Sequence, residues 1–195
     1  LNKVIPEVVG SMKSLSRNKF EISIEVLPKS QWWVFDTDSP FSTMWGVSNS
    51  TPLEKILDGE KKNFSFVGFD TVVFVTGNGV LGPINSSSAQ AGYIKAKNST
   101  TGYLSVVFMI GEMDRPYVWV HEFGHSLFGL EDLYPFSDAA AGRRTDTNSG
   151  TAKWDLMSDA TKPALLEWNR FLVGWLDDSE VRCIAEQTST VHYLT

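Results

Sequence analysis

Two histidines stand four residues apart in His121-Glu122-Phe123-Gly124-His125, and this short stretch constrains the fold more than any other part of the chain. Helical spacing puts both imidazoles on one face, one turn apart. Two imidazoles so placed can share one tetrahedral metal ion, and zinc is the ion this motif predicts. Glu122 follows the first histidine and falls beside the metal position, where a carboxylate can take a proton from a zinc-activated water. A catalytic zinc needs three protein ligands and one open position. The fold must therefore bury this helix and return the chain to its face with a third ligand.

The flanks fit a buried helix. Tyr117, Val118, Trp119 and Val120 precede the motif, and Leu127, Phe128 and Leu130 follow it. Pro116 suits a helix start and Asp114 is placed to cap it. Gly129 is where such a helix stops, because glycine enters the left-handed turn without penalty. The reversal after it can bring Glu131 or Asp132 back to the metal. The plain alternative is a helix with two ordinary histidines. With only three histidines in the chain, two of them in this spacing, the metal reading is the stronger.

This stretch resembles the zinc helix of metzincin-type metallopeptidases, and within them the immune inhibitor A family of secreted bacterial metallopeptidases. In that family the helix runs into a Gly-Leu-x-Asp-Leu-Tyr segment, matched here by Gly129-Leu130-Glu131-Asp132-Leu133-Tyr134. Trp154-Asp155-Leu156-Met157-Ser158 resembles its methionine-turn segment, and Trp168 to Leu176 resembles the helix that follows. The match covers about Tyr117 to Leu176 and is loose before that. One feature departs from the pattern. Counted from His121, the glycine falls one residue late, so Phe128 stands as an insertion. Counting from Gly129 selects Asp132 as third ligand, and counting from the histidines selects Glu131. Asp132 is favoured, because the segment after the glycine matches as a block.

The resemblance implies a metzincin-like α/β (α+β) domain. A twisted mixed sheet and the zinc helix would form an upper lobe, about residues 1–129. A smaller, mostly helical or irregular lower lobe, about 130–195, would carry the methionine turn. Met157 is expected as an apolar floor beneath the histidines. In metzincins an edge strand lines the cleft and pairs with extended substrate, and residues 80 to 110 are the place to look for it here. Some relatives place a tyrosine two residues after the methionine; this chain has Asp159 there. Tyr134, just past the ligand loop, is then the candidate oxyanion donor.

At 195 residues, with 42 % hydrophobic and 21 % charged residues, the chain suits one globular domain. It starts at Leu1, which suggests a catalytic domain excised from a longer secreted protein. The net charge of −6 provides no basic face for nucleic acid, and no apolar run is long enough to span a membrane. Cys183 is the single cysteine, so no intrachain disulfide can form. A monomer acting on protein or peptide substrates is expected.

Earlier in the chain, Val4, Ile5, Val8, Val9, Met12 and Leu15 recur at helical spacing. Residues 20–27 alternate as a half-buried strand, and 51–57 read as a short helix. Phe69 to Thr76 and Tyr103 to Ile110 read as buried strands, and Gly82 to Gly92 as a loop. Trp32 and Trp33 suit core packing better than a cleft wall. Residues 135–153 form a long polar loop. Asp138, Asp146 and Asn148 there are possible Ca2+ ligands, but they lack EF-hand spacing and a solvated loop is preferred. Lys162 to Leu176 reads as a helix. Glu167 on it is a lower-ranked third ligand, and His192 is read as a surface histidine.

The expected function is zinc-dependent endopeptidase action with Glu122 as general base. The rival is a catalytically inactive or latent domain of the same fold used for binding or adhesion. Phe128 is its best support, because an extra residue could displace the third ligand.

Overall fold

The structure, a computed structural model, describes residues 1–31, 65–76, 88–95, 100–110, 115–133, 154–161 and 164–181. It is a mixed α/β arrangement: a three-stranded sheet with helices packed on one face. Helix α1 (Val4–Leu15) buries Val4, Val8, Met12 and Leu15, the stripe its periodicity predicts. Strands β1 (Thr71–Thr76), β2 (Ser88–Lys95) and β3 (Tyr103–Ile110) lie in the order β1-β3-β2. β1 runs parallel to β3, with Val73 opposite Val107. β2 runs antiparallel to β3, with Ala91 opposite Val107.

β3 reads as an almost continuous apolar run because both of its faces are covered. Val107 and Met109 join the core beneath the helices, while Leu104, Val106 and Phe108 are buried on the opposite face. Phe74 and Phe108 stack there with ring centres 5.2 Å apart.

Helix α2 (Pro116–Phe128) carries the two histidines. Trp119, Val120 and Phe123 seat it in the core between the sheet and α1. It starts after Arg115, whose backbone is extended, and no side chain caps it. The expected cap, Asp114, lies outside the described residues. It ends as predicted at Gly129, which takes φ 65°; the N–H groups of Gly129 and Leu130 return to the carbonyls of His125 and Gly124. Phe128 forms the last helical residue. Its ring meets Phe20 and Trp175 edge-on, with both centroid distances 5.0 Å. Phe128 thus ties the end of α2 to two distant parts of the chain.

Three expectations are corrected. Residues 20–27 form no strand; Phe20, Ile22 and Ile24 satisfy their alternation by packing directly on the core. Part of the stretch read as a loop, Gly82 to Gly92, belongs to β2. Its small residues, Ala89 and Ala91, let the strand pass close under α2, and pairing with β3 overrides their weak strand preference. The helix predicted from Lys162 is only Glu167–Leu172, here α3. Leu166 is held extended because its N–H is taken by the Asp155 carboxylate at 2.6 Å.

α3 and the turn after α1 are joined by charge. Arg17 pairs with Glu167 and Glu180, Lys19 with Asp177, and Arg170 with Glu167. Glu167 is exposed in this surface network, which removes it as a metal ligand. The expectations at Trp32, Trp33, 51–57, Tyr134, Asp138, Asp146, Asn148, Cys183 and His192 lie outside the described residues. Among the described residues, no helix is long and apolar enough to cross a membrane.

Candidate metal centre

His121 and His125 project from the same face of α2, and the turn at Gly129 returns the chain so that Asp132 meets them. The Oδ1 atom of Asp132 lies 3.1 Å from His121 Nε2 and 3.2 Å from His125 Nε2. The two Nε2 atoms are 3.2 Å apart. Three donor atoms thus form a nearly equilateral triangle. An ion holding four tetrahedral ligands at about 2.0–2.1 Å requires edges of about 3.3–3.4 Å. The triangle fits such an ion with a tenth or two of an ångström of adjustment. The group His121, His125 and Asp132 could therefore hold a metal ion. Glu131, the alternative third ligand, is exposed and stands outside the group.

The orientation of both rings is set by backbone carbonyls. His121 Nδ1 donates to the Leu156 carbonyl at 2.8 Å, and His125 Nδ1 donates to the Leu130 carbonyl at 2.5 Å. A carbonyl only accepts, so Nδ1 carries the proton in each neutral ring. The Nε2 lone pair is then left facing the centre of the triangle. Side-chain exposure rises from 6 % at His121 to 22 % at His125, so the site opens on the His125 side.

Met157 is fully buried below this face. A Cβ added at Gly124 would lie 2.6 Å from its sulfur and 3.1 Å from its terminal methyl. Glycine between the two ligands therefore lets the thioether reach the helix backbone. Gly124→Ala gains about 1 kcal/mol of helix propensity but incurs an overpacking cost of about 1–3 kcal/mol. The expected net result is a destabilisation of up to about 2 kcal/mol with weaker metal binding. In a Met157→Ala background the clash disappears, so the same glycine substitution should instead stabilise. Urea unfolding of the four proteins reads the change of sign, and an unchanged sign would contradict the packing argument.

Glu122 is buried beside the triangle, with the Ala91 N–H of β2 near its carboxyl. Burial pushes its pKa above the usual carboxylate value of 4.5, against the lowering influence of His121, His125 and that N–H. At His125 burial disfavours the charged ring. Hydrogen bonds to Asp132 and the Leu130 carbonyl outweigh it, and the pKa lies above the ordinary 6.5. Both groups hold their protons more tightly folded than unfolded. The stability contributed by Glu122 is fully present below pH 4.5 and that of His125 below 6.5, each being lost as pH rises through the folded value. Glu180 is shifted downward, so its effect is confined below pH 4.5. The metal-free protein should therefore lose stability as pH rises, from above 4.5 for Glu122 and from above 6.5 for His125, read as a falling urea midpoint. Metal affinity should change oppositely, weakening up to about tenfold per pH unit below the His125 pKa, because proton and metal compete. A metal-free midpoint that rises over the same interval would contradict the shifts.

Sequence reasoning placed His121, Glu122, His125, Asp132 and Met157. It missed Ala91, the two orienting carbonyls and Asp155. A backbone N–H or carbonyl has no side-chain signature, so only Asp155 was visible as a residue type. Comparisons with protein-family models, with curated proteins and with solved structures found no match for this chain.

Proposed function

We propose that this chain is a zinc-dependent endopeptidase domain of the metzincin type, acting on protein substrates outside the cell. The observation that carries the reading is the convergence of His121, His125 and Asp132 on one point, with Glu122 held beside them. A site serving only to hold a metal has no use for a buried carboxylate that is not a ligand.

Two imidazoles and a carboxylate suit zinc, as does an arrangement with four-coordinate edges. Zinc, when bound, lowers the pKa of a coordinated water towards about 7 and polarises the scissile carbonyl. The chain's own residues supply the rest. Glu122, ionised at neutral pH beside the cation, takes a proton from the attacking water. The water oxygen bonds to the carbonyl carbon, and the same proton passes to the amine as the C–N bond breaks. β2, at the edge of the described sheet, falls within the region expected to carry the substrate-pairing strand, and an extended peptide laid along it would face Glu122.

In this reading the upper lobe ends at Gly129 and Met157 forms the floor in the lower lobe. The rival, a non-catalytic binding domain, rested on displacement of the third ligand by Phe128. Asp132 stands with the histidines despite the extra residue, so that support is lost.

The test is zinc content together with hydrolysis of casein, an unstructured protein. One zinc per chain, activity abolished by a chelator and restored by zinc, is the expected result. Zinc binding without turnover by the wild type would favour the binding domain, and absence of metal binding would overturn the proposal.

A further inference from the structure

The structure assigns to Asp155 the role of positioning residue for the metal centre, acting through the loop Leu156–Met157 on all three ligands. This rests on the metal-binding reading of the site. Asp155 is fully buried, and its carboxylate gathers donors from two directions. Oδ1 accepts the Met157 N–H at 2.6 Å, and Oδ2 accepts the Leu166 N–H at 2.6 Å. The Asn169 side-chain amide donates to both oxygens, at 3.2 and 3.1 Å. Leu156 adds a backbone bond to the Ala164 carbonyl at 2.6 Å. One carboxylate thus binds the loop to the segment entering α3 and to α3 itself.

The loop so held bonds His121 directly and meets the residues next to Asp132 and His125. The Leu156 carbonyl orients His121 through Nδ1 at 2.8 Å. The Met157 carbonyl accepts the Leu133 N–H at 2.9 Å, which fixes the backbone next to Asp132. The Met157 thioether fills the space at Gly124, the residue before His125. A buried carboxylate without a cationic partner is costly unless its hydrogen bonds are complete. Backbone N–H groups and an amide complete them here, and an apolar residue could close the same space with less desolvation. What a carboxylate adds is several fixed acceptor directions, and these set where Leu156 and Met157 lie. The Leu156 carbonyl is one step removed from His121, and partners so placed typically change metal affinity about 10–100-fold; Asp155 acts by setting where that carbonyl lies.

Asp155→Asn keeps an acceptor for Met157 but turns an NH2 group towards Leu166 N–H. Asn169→Ala removes only the side-chain donor. Zinc affinity by chelator competition, the visible spectrum of the cobalt-substituted protein and urea unfolding of the metal-free form are measured for both and for the wild type. Asp155→Asn should weaken zinc about 10–100-fold and alter the cobalt spectrum, with Asn169→Ala changed in the same direction by less. If both variants are folded with zinc affinity within about twofold of the wild type and an unchanged cobalt spectrum, the assignment is overturned, and Asp155 serves only the fold. If Asp155→Asn does not fold, Asn169→Ala decides by the same criteria. Should the wild type bind no metal, the metallopeptidase reading fails by itself. The His121 Nδ1–H resonance in metal-free protein then tests the loop separately: loss or displacement in Asp155→Asn supports the positioning role, and an unchanged resonance overturns it.

Discussion

Glu122→Ala is expected to bind zinc as the wild type does and to lose about 10²–10⁴-fold in kcat, the usual contribution of a positioned general acid–base group. The two halves of this result come from different features of the site. Retained zinc follows because Glu122 lies outside the triangle formed by His121, His125 and Asp132. Lost turnover follows because, among the described residues, no other carboxylate accompanies the triangle from a buried position: Asp155 is engaged by Met157, Leu166 and Asn169. In the metal-free variant stability should also fall less with rising pH than in the wild type, since burial disfavours the ionised Glu122 carboxylate. Casein hydrolysis at matched zinc occupancy, with urea unfolding of the metal-free proteins, measures both. A variant retaining more than about a tenth of wild-type turnover would remove Glu122 from the mechanism.

Much of the fold's middle could be read from residues, and the reasons are local. β3 announces itself because a strand covered on both faces must be apolar throughout, as Leu104, Val106, Val107, Phe108 and Met109 are. α1 shows a one-sided stripe, and the end of α2 is written by Gly129. Where the reading failed, a distant group had decided the local conformation. β2 is built on Ala89 and Ala91, chosen for closeness to α2 rather than for strand preference. Residues 164–166 read as helix because Leu165 and Leu166 keep helical spacing with Trp168 and Leu172, yet they lie outside it. The acceptor that straightens Leu166 belongs to Asp155, eleven positions earlier. The alternation at Phe20, Ile22 and Ile24 was real, but burial alone does not supply a neighbouring strand. The candidate site divides in the same manner. Its side chains carry recognisable chemistry at recognisable spacing, whereas the groups that aim the two imidazoles are the Leu130 and Leu156 carbonyls.

Asp132→Ala is expected to weaken zinc binding by more than about 100-fold, while Glu131→Ala changes it less than about twofold; the first loss corresponds to about 2.7 kcal/mol of binding free energy. The two acids are neighbours and both fit a count from the motif, so composition cannot separate them. The backbone can. Gly129 N–H bonds to the His125 carbonyl, Leu130 N–H to the Gly124 carbonyl and Leu133 N–H to the Met157 carbonyl. The Leu130 carbonyl is itself the acceptor for His125 Nδ1. With both ends of the segment tied, and successive side chains turned to different sides, one acid faces the triangle and the other faces water. Asp132 Oδ1 reaches both histidines, and Glu131 is exposed. Phe128 packs between Phe20 and Trp175, and the geometry beyond Gly129 is set by the turn. Removing Asp132 also removes the acceptor that helps hold His125 protonated in the metal-free state, so its pKa should fall back towards 6.5. Zinc titration followed by the shift in unfolding midpoint, with imidazole NMR of the metal-free proteins, reads both effects. Equal losses for the two variants would mean that the segment can slide by one residue, and a loss confined to Glu131→Ala would return the count to the histidines.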